Sequence, residues 1–151
     1  MKAYILKIDT QTSNEYAKVC SDSCNNIGLD WEYFNGFQNM SGNIEVKSRR
    51  LNFSEKPSSY PKSTAFVDTE FGWKLKDPLP LAVVLVSQET GSLLVIPISS
   101  MPTWTTTRRF DNVRKIEDTF LLVNKKHLKP WSEFVDWLNV RQEKHEQKNS
   151  A

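Results

Sequence analysis

Leu81-Ala82-Val83-Val84-Leu85-Val86-Ser87-Gln88-Glu89-Thr90-Gly91-Ser92-Leu93-Leu94-Val95-Ile96-Pro97-Ile98-Ser99-Ser100-Met101-Pro102 is the stretch on which the fold turns. Two short apolar runs, rich in Val, Ile and Leu, flank the polar turn Gln88–Gly91. Runs of this length and β-branched content, bounded by turn residues, predict a buried antiparallel hairpin. The second run leaves through Pro97-Ile98-Ser99-Ser100, which sets hydroxyls at a strand exit.

The rest of the chain sorts around that hairpin. Residues 3–8 predict a first strand. Thr12 three residues ahead of Glu15 makes a capping box for a helix. Tyr16, Val19, Cys20, Ser23, Cys24 and Ile27 recur at helical spacing, and Gly28 suits the C-terminal stop. Leu29–Phe34, alternating and aromatic, predicts a second strand, so residues 1–42 have the size of a βαβ-like segment. The stretch 43–64, rich in Ser, Asn and Lys, reads as a linker or an edge strand. Residues 65–73, 113–116 and 120–123 predict further short strands, and 103–109 a polar loop. Pro130 is expected at the first position of a final helix, in which Trp131, Phe134, Val135 and Leu138 form one apolar stripe. Trp137 lies off that stripe. Residues 142–151 carry no apolar face and read as a frayed tail.

Composition bounds the function. The 151 residues carry 20 Lys+Arg against 18 Asp+Glu, too even a balance for a dedicated duplex-DNA binder. The opening apolar run is too short for a signal sequence, and no stretch approaches the length of a membrane span, so a cytoplasmic protein is expected. Cys20 and Cys24 are the only cysteines. Two thiols without nearby histidines are half a structural zinc site, so no metal and no cofactor are expected. No glycine-rich phosphate loop is present, and no Ser-His-Asp set has spacing to support it.

The segment from about 65 to 140 resembles the MazF/PemK toxins. The likeness is carried by Ala82–Ser87, the turn with Gly91, and Leu94-Val95-Ile96-Pro97-Ile98-Ser99-Ser100, followed by Val113-Arg114-Lys115-Ile116 and the Pro130 helix. The resemblance implies an SH3-like antiparallel β-barrel closed by a C-terminal helix, and metal-independent endoribonuclease chemistry on single-stranded RNA. It makes Ser99 and Ser100 the candidate catalytic hydroxyls. The family places an Arg-Pro pair before the first strand of the hairpin. Here the stretch is Pro78-Leu79-Pro80-Leu81, without the arginine, so binding is expected rather than cleavage.

Residues 3–42 separately resemble the opening βαβ of lipooligosaccharide-type glycosyltransferases, through Tyr4–Asp9, the capped helix and Gly28–Gly36. That resemblance implies the start of a nucleotide-sugar domain. With no later Asp-x-Asp motif, the segment reads as a structural or docking piece instead.

The expected architecture is therefore α+β: a βαβ-like segment (1–42), a linker or edge strand (43–64), and a barrel body with a C-terminal helix (65–141). The leading functional expectation is a small cytoplasmic protein that binds single-stranded RNA or another polyanion through the Ser99–Arg109 loop. Trp104 would stack a base, and Arg108, Arg109, Lys125 and Lys126 would hold phosphates. The competing expectation is a phage or mobile-element accessory protein that binds and inhibits a host protein, with homodimerisation compatible with either.

Overall fold

All six residues of β4 (Ala82–Ser87) and four of the five in β5 (Leu93–Pro97) are buried, so this hairpin is covered on both faces. A strand buried on both sides needs a continuous apolar run rather than alternation, which is what the sequence there provides. β4 and β5 pair antiparallel from Ala82↔Pro97 to Val86↔Leu93, as expected. The turn closes through the Gly91 amide, which donates to the Ser87 carbonyl at 2.9 Å, and Gly91 takes a φ of +72°, open to a residue without Cβ.

The structure, a computed structural model, describes residues 7–10, 43–77, 79–137 and 140. The expected helix bearing Cys20 and Cys24, the strand at Leu29–Phe34, Leu138 of the expected C-terminal stripe and the tail at 142–151 lie outside the described residues. The described chain is α+β, mostly sheet, with a helix over residues 131–137. One sheet is mixed, in the order β1-β2-β4-β5-β8, with β1 (Lys7–Thr10) and β2 (Asn43–Arg49) parallel to each other and to β4. β8 is the two-residue strand Lys129–Pro130. The other sheet is antiparallel, β3-β7-β6, built from β3 (Thr64–Thr69), β6 (Thr105–Asp111) and β7 (Ile116–Asn124). α1 (Glu70–Lys74) follows β3 directly, and its cap, Thr69 Oγ1, accepts from the Gly72 amide at 3.0 Å.

The described strands therefore stack in layers. On one side of the mixed sheet, Trp131, Phe134 and Val135 of the C-terminal helix pack on Ile44, Val46, Val84, Val86 and Val95. On the other, Val83, Leu85, Leu94 and Ile96 meet Ala65, Val67 and Val123 of the antiparallel sheet, with Phe53, Tyr60, Trp73 and Leu128. An SH3-like barrel would be one closed ladder. The described strands instead form two ladders, one of them containing parallel pairs.

Several boundaries differ from the sequence reading. Asn43–Arg49 is neither linker nor edge: it lies between β1 and β4. Residues 50–63 are tied down. Ser87 Oγ donates to the Leu51 carbonyl and Thr90 Oγ1 to the Phe53 carbonyl, both at 2.7 Å, while Phe53 and Tyr60 are buried with rings 5.5 Å apart. The expected loop after Ser100 is a 3-10 turn (Ile98–Thr103) running into β6. Of the expected strand at 113–116, residues 113–115 form the turn before β7 and Ile116 is the first residue of β7. Pro130 ends β8, and the helix begins one residue later.

Candidate functional site

The seven residues singled out from sequence do not form one surface. Ser100 is buried, and its hydroxyl donates to the Pro97 carbonyl at 2.6 Å while accepting from Trp104 Nε1 at 2.9 Å. Trp104 meets Trp73 edge-on, ring centroids 4.8 Å apart, against the core between the sheets. Both residues are thus engaged in holding the 3-10 turn on the sheet. Ser99 is exposed and borders a different feature, a cleft of about 170 Å³ lined by Val95, Pro97, Lys129, Phe134 and Trp137. Trp137, 42% exposed, stacks on Phe134 at 5.7 Å.

Arg108 and Arg109 are exposed on β6, opposite Thr119 and Asp118. Lys125 lies six residues beyond Thr119, past the end of β7, where its ammonium donates to the Tyr60 carbonyl at 3.3 Å. At about 3.3 Å per residue that separation is roughly 20 Å of strand. Lys126 belongs to the same short 3-10 turn, its amide donating to Asn124 Oδ1. The basic residues fall into two separate places.

What the structure does assemble is the free end of the β6–β7 hairpin. Burial along β7 rises from exposed Ile116 and Glu117, through five partly buried residues, to fully buried Val123. The base of the hairpin is packed and the tip stands in solvent. Phe110 is 56% exposed, Ile116 47% and Val113 91%. Phe110 pairs with Glu117, and Ile116 with Asp111, so the two apolar side chains lie on opposite faces.

The turn at this tip is built with polar contacts. Asp111 Oδ1 accepts from the amides of Val113 at 2.8 Å and Arg114 at 3.1 Å, an Asx arrangement. Arg114 Nε donates to Asp111 Oδ2 at 2.8 Å, and its Nη2 donates to Asp118 Oδ2. The Lys115 amide donates to the Asp111 carbonyl at 2.8 Å, with Lys115 at φ 59°, a left-handed conformation unusual for lysine. The Arg114 hydrogen bonds hold the carboxyls of Asp111 and Asp118 below the ordinary aspartate value and raise Arg114 in turn. Two carboxylates and one guanidinium thus clamp the turn from both strands.

Sequence reasoning missed a second cluster, buried between the sheets. Glu45, Lys47 and Arg49 alternate along β2 with Ile44, Val46 and Ser48. Lys76 Nζ donates to Glu45 Oε1 at 2.6 Å, and Lys47 Nζ lies 3.9 Å from the same oxygen. Asp68 Oδ2 of β3 lies 3.5 Å from Lys47 Nζ and 3.7 Å from Lys76 Nζ. Arg49 Nη2 reaches the Phe66 carbonyl at 2.9 Å, its guanidinium 5.3 Å from the Phe66 ring centre. Burial pulls Lys47 below the ordinary lysine value, against the attraction of Glu45 and Asp68. Arg49 and Lys76 add to the lowering. The signal present in the sequence was the alternation Ile44-Glu45-Val46-Lys47, which also describes a surface strand; only the tertiary partners separate the two.

Among the described residues no group of three or more His, Cys, Asp or Glu side chains is placed to hold a metal ion, and no helix is long and apolar enough to cross a membrane. Comparison with protein-family models, with curated proteins and with solved structures found no match.

Proposed function

We propose that this chain is a protein-binding module whose recognition element is the tip of the β6–β7 hairpin. The observation that carries the reading is the pairing of exposure with a hydrogen-bonded turn. Phe110, Val113 and Ile116 stand in solvent on a turn clamped by Arg114 between Asp111 and Asp118. Exposed apolar groups at one tip, with Phe110 on one face and Ile116 on the other, suit a partner that grips the hairpin end from both sides. A pre-ordered loop loses little conformational freedom when a partner covers it. The near balance of charge fits a protein partner better than a polyanion.

Binding of single-stranded RNA draws its support from Arg108 and Arg109 beside three threonines on an exposed strand. Its expected stacking ring, Trp104, packs on Trp73 instead, and Phe110 is the exposed ring beside the arginines. The toxin-type reaction draws on Ser99 and Ser100, of which Ser100 is spent on Pro97 and Trp104. The SH3-like likeness is confined, in our reading, to the β4–β5 hairpin facing the antiparallel sheet.

The test is capture of a stoichiometric partner from nuclease-treated lysate, set against a variant carrying Phe110→Ser, Val113→Ser and Ile116→Ser. The expected result is a protein partner retained by the parent chain and lost by the variant, with both giving the same circular dichroism. A partner that the variant keeps, or one that disappears with nuclease, overturns the reading.

A further inference from the structure

The outer edge of β6 carries an inference that rests on the interaction reading and names the chemistry of the partner. Among the described residues β6 is the last strand of its ladder. Seven extended residues span about 23 Å and present a row of main-chain N–H and C=O groups on the side away from β7. Edges are commonly blunted by proline, by a bulge, by shortness or by charged side chains. β6 has no proline and no bulge and is seven residues long; its only blunting device is charge, in Thr-Thr-Thr-Arg-Arg-Phe-Asp, held in unbroken register with β7, while the irregularity of this sheet lies on β3.

Charge selects the occupant. Successive strand residues face opposite sides, so Arg108 and Arg109 place one guanidinium on each face of the edge. Arg108 donates to Thr119 Oγ1 at 3.2 Å and lies 3.9 Å from Glu117 Oε1, an exposed pair that a partner carboxylate would have to compete with. The strand's own carboxylate, Asp111, is already held by Arg114. A second copy of this chain would bring two more arginines to the seam, and like charges across a strand pair are destabilising. An acidic strand meets complementary charge on both faces. We propose that β6 is a docking edge for an extended, acidic segment of a partner protein, which adds as a fourth strand to β3-β7-β6.

The experiment is an amide NMR titration of the full chain, at low salt, with three nine-residue peptides alternating Thr with Glu, Thr with Lys, or Thr with Ser. The Thr/Glu peptide is expected to bind roughly tenfold or more tighter than the Thr/Lys peptide, as complementary charge favours one partner over the other. Its binding should protect alternate β6 amides from exchange. The R108E/R109E variant should invert the preference, and R108Q/R109Q, which keeps the size and removes the charge, should abolish it. The proposal falls if no peptide binds, if the shifts lie away from β6, or if both variants keep the parent preference. It falls equally if oligouridylate displaces the peptide from β6, or if R108Q/R109Q self-associates while the parent binds no peptide, which makes the arginines guards of a bare edge. Failure here leaves the hairpin-tip reading intact as long as the triple serine variant still loses its protein partner. Retention of that partner sinks the tip reading whatever the peptides do.

Discussion

Lys76 Nζ lies 2.6 Å from Glu45 Oε1, a contact that joins the loop after α1 to the middle of β2 across 31 residues of chain. Glu45 is 1% exposed, and its other oxygen has no hydrogen-bond partner. With Lys47 on one side and Asp68 beyond, this carboxylate anchors the ionic layer that sets how β3 lies over β2. Glu45→Gln removes the charge that faces the Lys47 and Lys76 ammonium groups and leaves Asp68 less well balanced. Loss of one member of a buried ion pair costs about 3 kcal/mol or more. Urea denaturation should show that loss. Adding Lys76→Met should recover roughly 1 kcal/mol of it, because contacting residues couple. Strict additivity of the two changes would show that the pair is not coupled.

Ser99 and Ser100 are adjacent in sequence and opposite in role. Ser100→Ala leaves the Trp104 indole N–H without its acceptor and removes the hydroxyl bond to the Pro97 carbonyl. An expected cost of about 1–2 kcal/mol follows from leaving a buried polar group unpaired. Ser99→Ala, at an exposed position, should change stability by less than about 0.5 kcal/mol. Equal effects at the two positions, read from thermal midpoints, would contradict the structural assignment of Ser100.

The β4–β5 hairpin was legible because a strand buried on both faces must be apolar throughout, and the β-branched run Val83–Val86 bounded by turn residues favours strand over helix. The helix stripe Trp131, Phe134, Val135 was legible for the same reason: local periodicity reports burial directly. β2 was not, because the burial of Glu45 and Lys47 is compensated by Asp68 and Lys76, which lie far along the chain. Nor was β6 distinguishable from a loop. Its Thr-rich, exposed residues are strand only because β7 pairs with them. The candidate site suffered most, since the basic residues at Arg108 and Lys125 were expected to share one face, yet the length of β7 carries them apart.

The segment 50–63 provides a stability test of this contrast. Its polar composition suggests a linker, but Phe53 is 1% exposed and packs with Tyr60. Phe53→Ala should cost about 3–5 kcal/mol, the range for removing a buried aromatic ring. A linker would tolerate it. Chemical denaturation distinguishes the two, and a change below about 1 kcal/mol would return the segment to linker status.

Lys115 closes the β6–β7 turn at φ 59°, a conformation that a side chain with Cβ resists. Lys115→Gly relieves that strain, although the freer unfolded chain offsets part of the gain. The net expectation is stabilisation of roughly 0.5 kcal/mol, with slower exchange of the Lys115 and Ile116 amides. Destabilisation would mean that the backbone there is not left-handed.

Acid should loosen this same turn, and the direction follows from the Arg114 clamp. The carboxyls of Asp111 and Asp118 are depressed chiefly by their hydrogen bonds to Arg114. An acid whose folded value lies below its unfolded one, about 3.9 for aspartate, contributes stability at pH above that unfolded value. The contribution disappears as pH falls through the folded value. Between pH 5 and 8 the turn should therefore be insensitive to pH, and it should open only in strong acid. Carboxyl-carbon NMR titration measures this directly. In Arg114→Ala both aspartates should move up toward the ordinary carboxylate range, and the exchange of the Val113 amide should quicken at every pH. Aspartate titrations unmoved by Arg114→Ala would remove the clamp, and with it the claim that Phe110, Val113 and Ile116 are presented by a hydrogen-bonded turn.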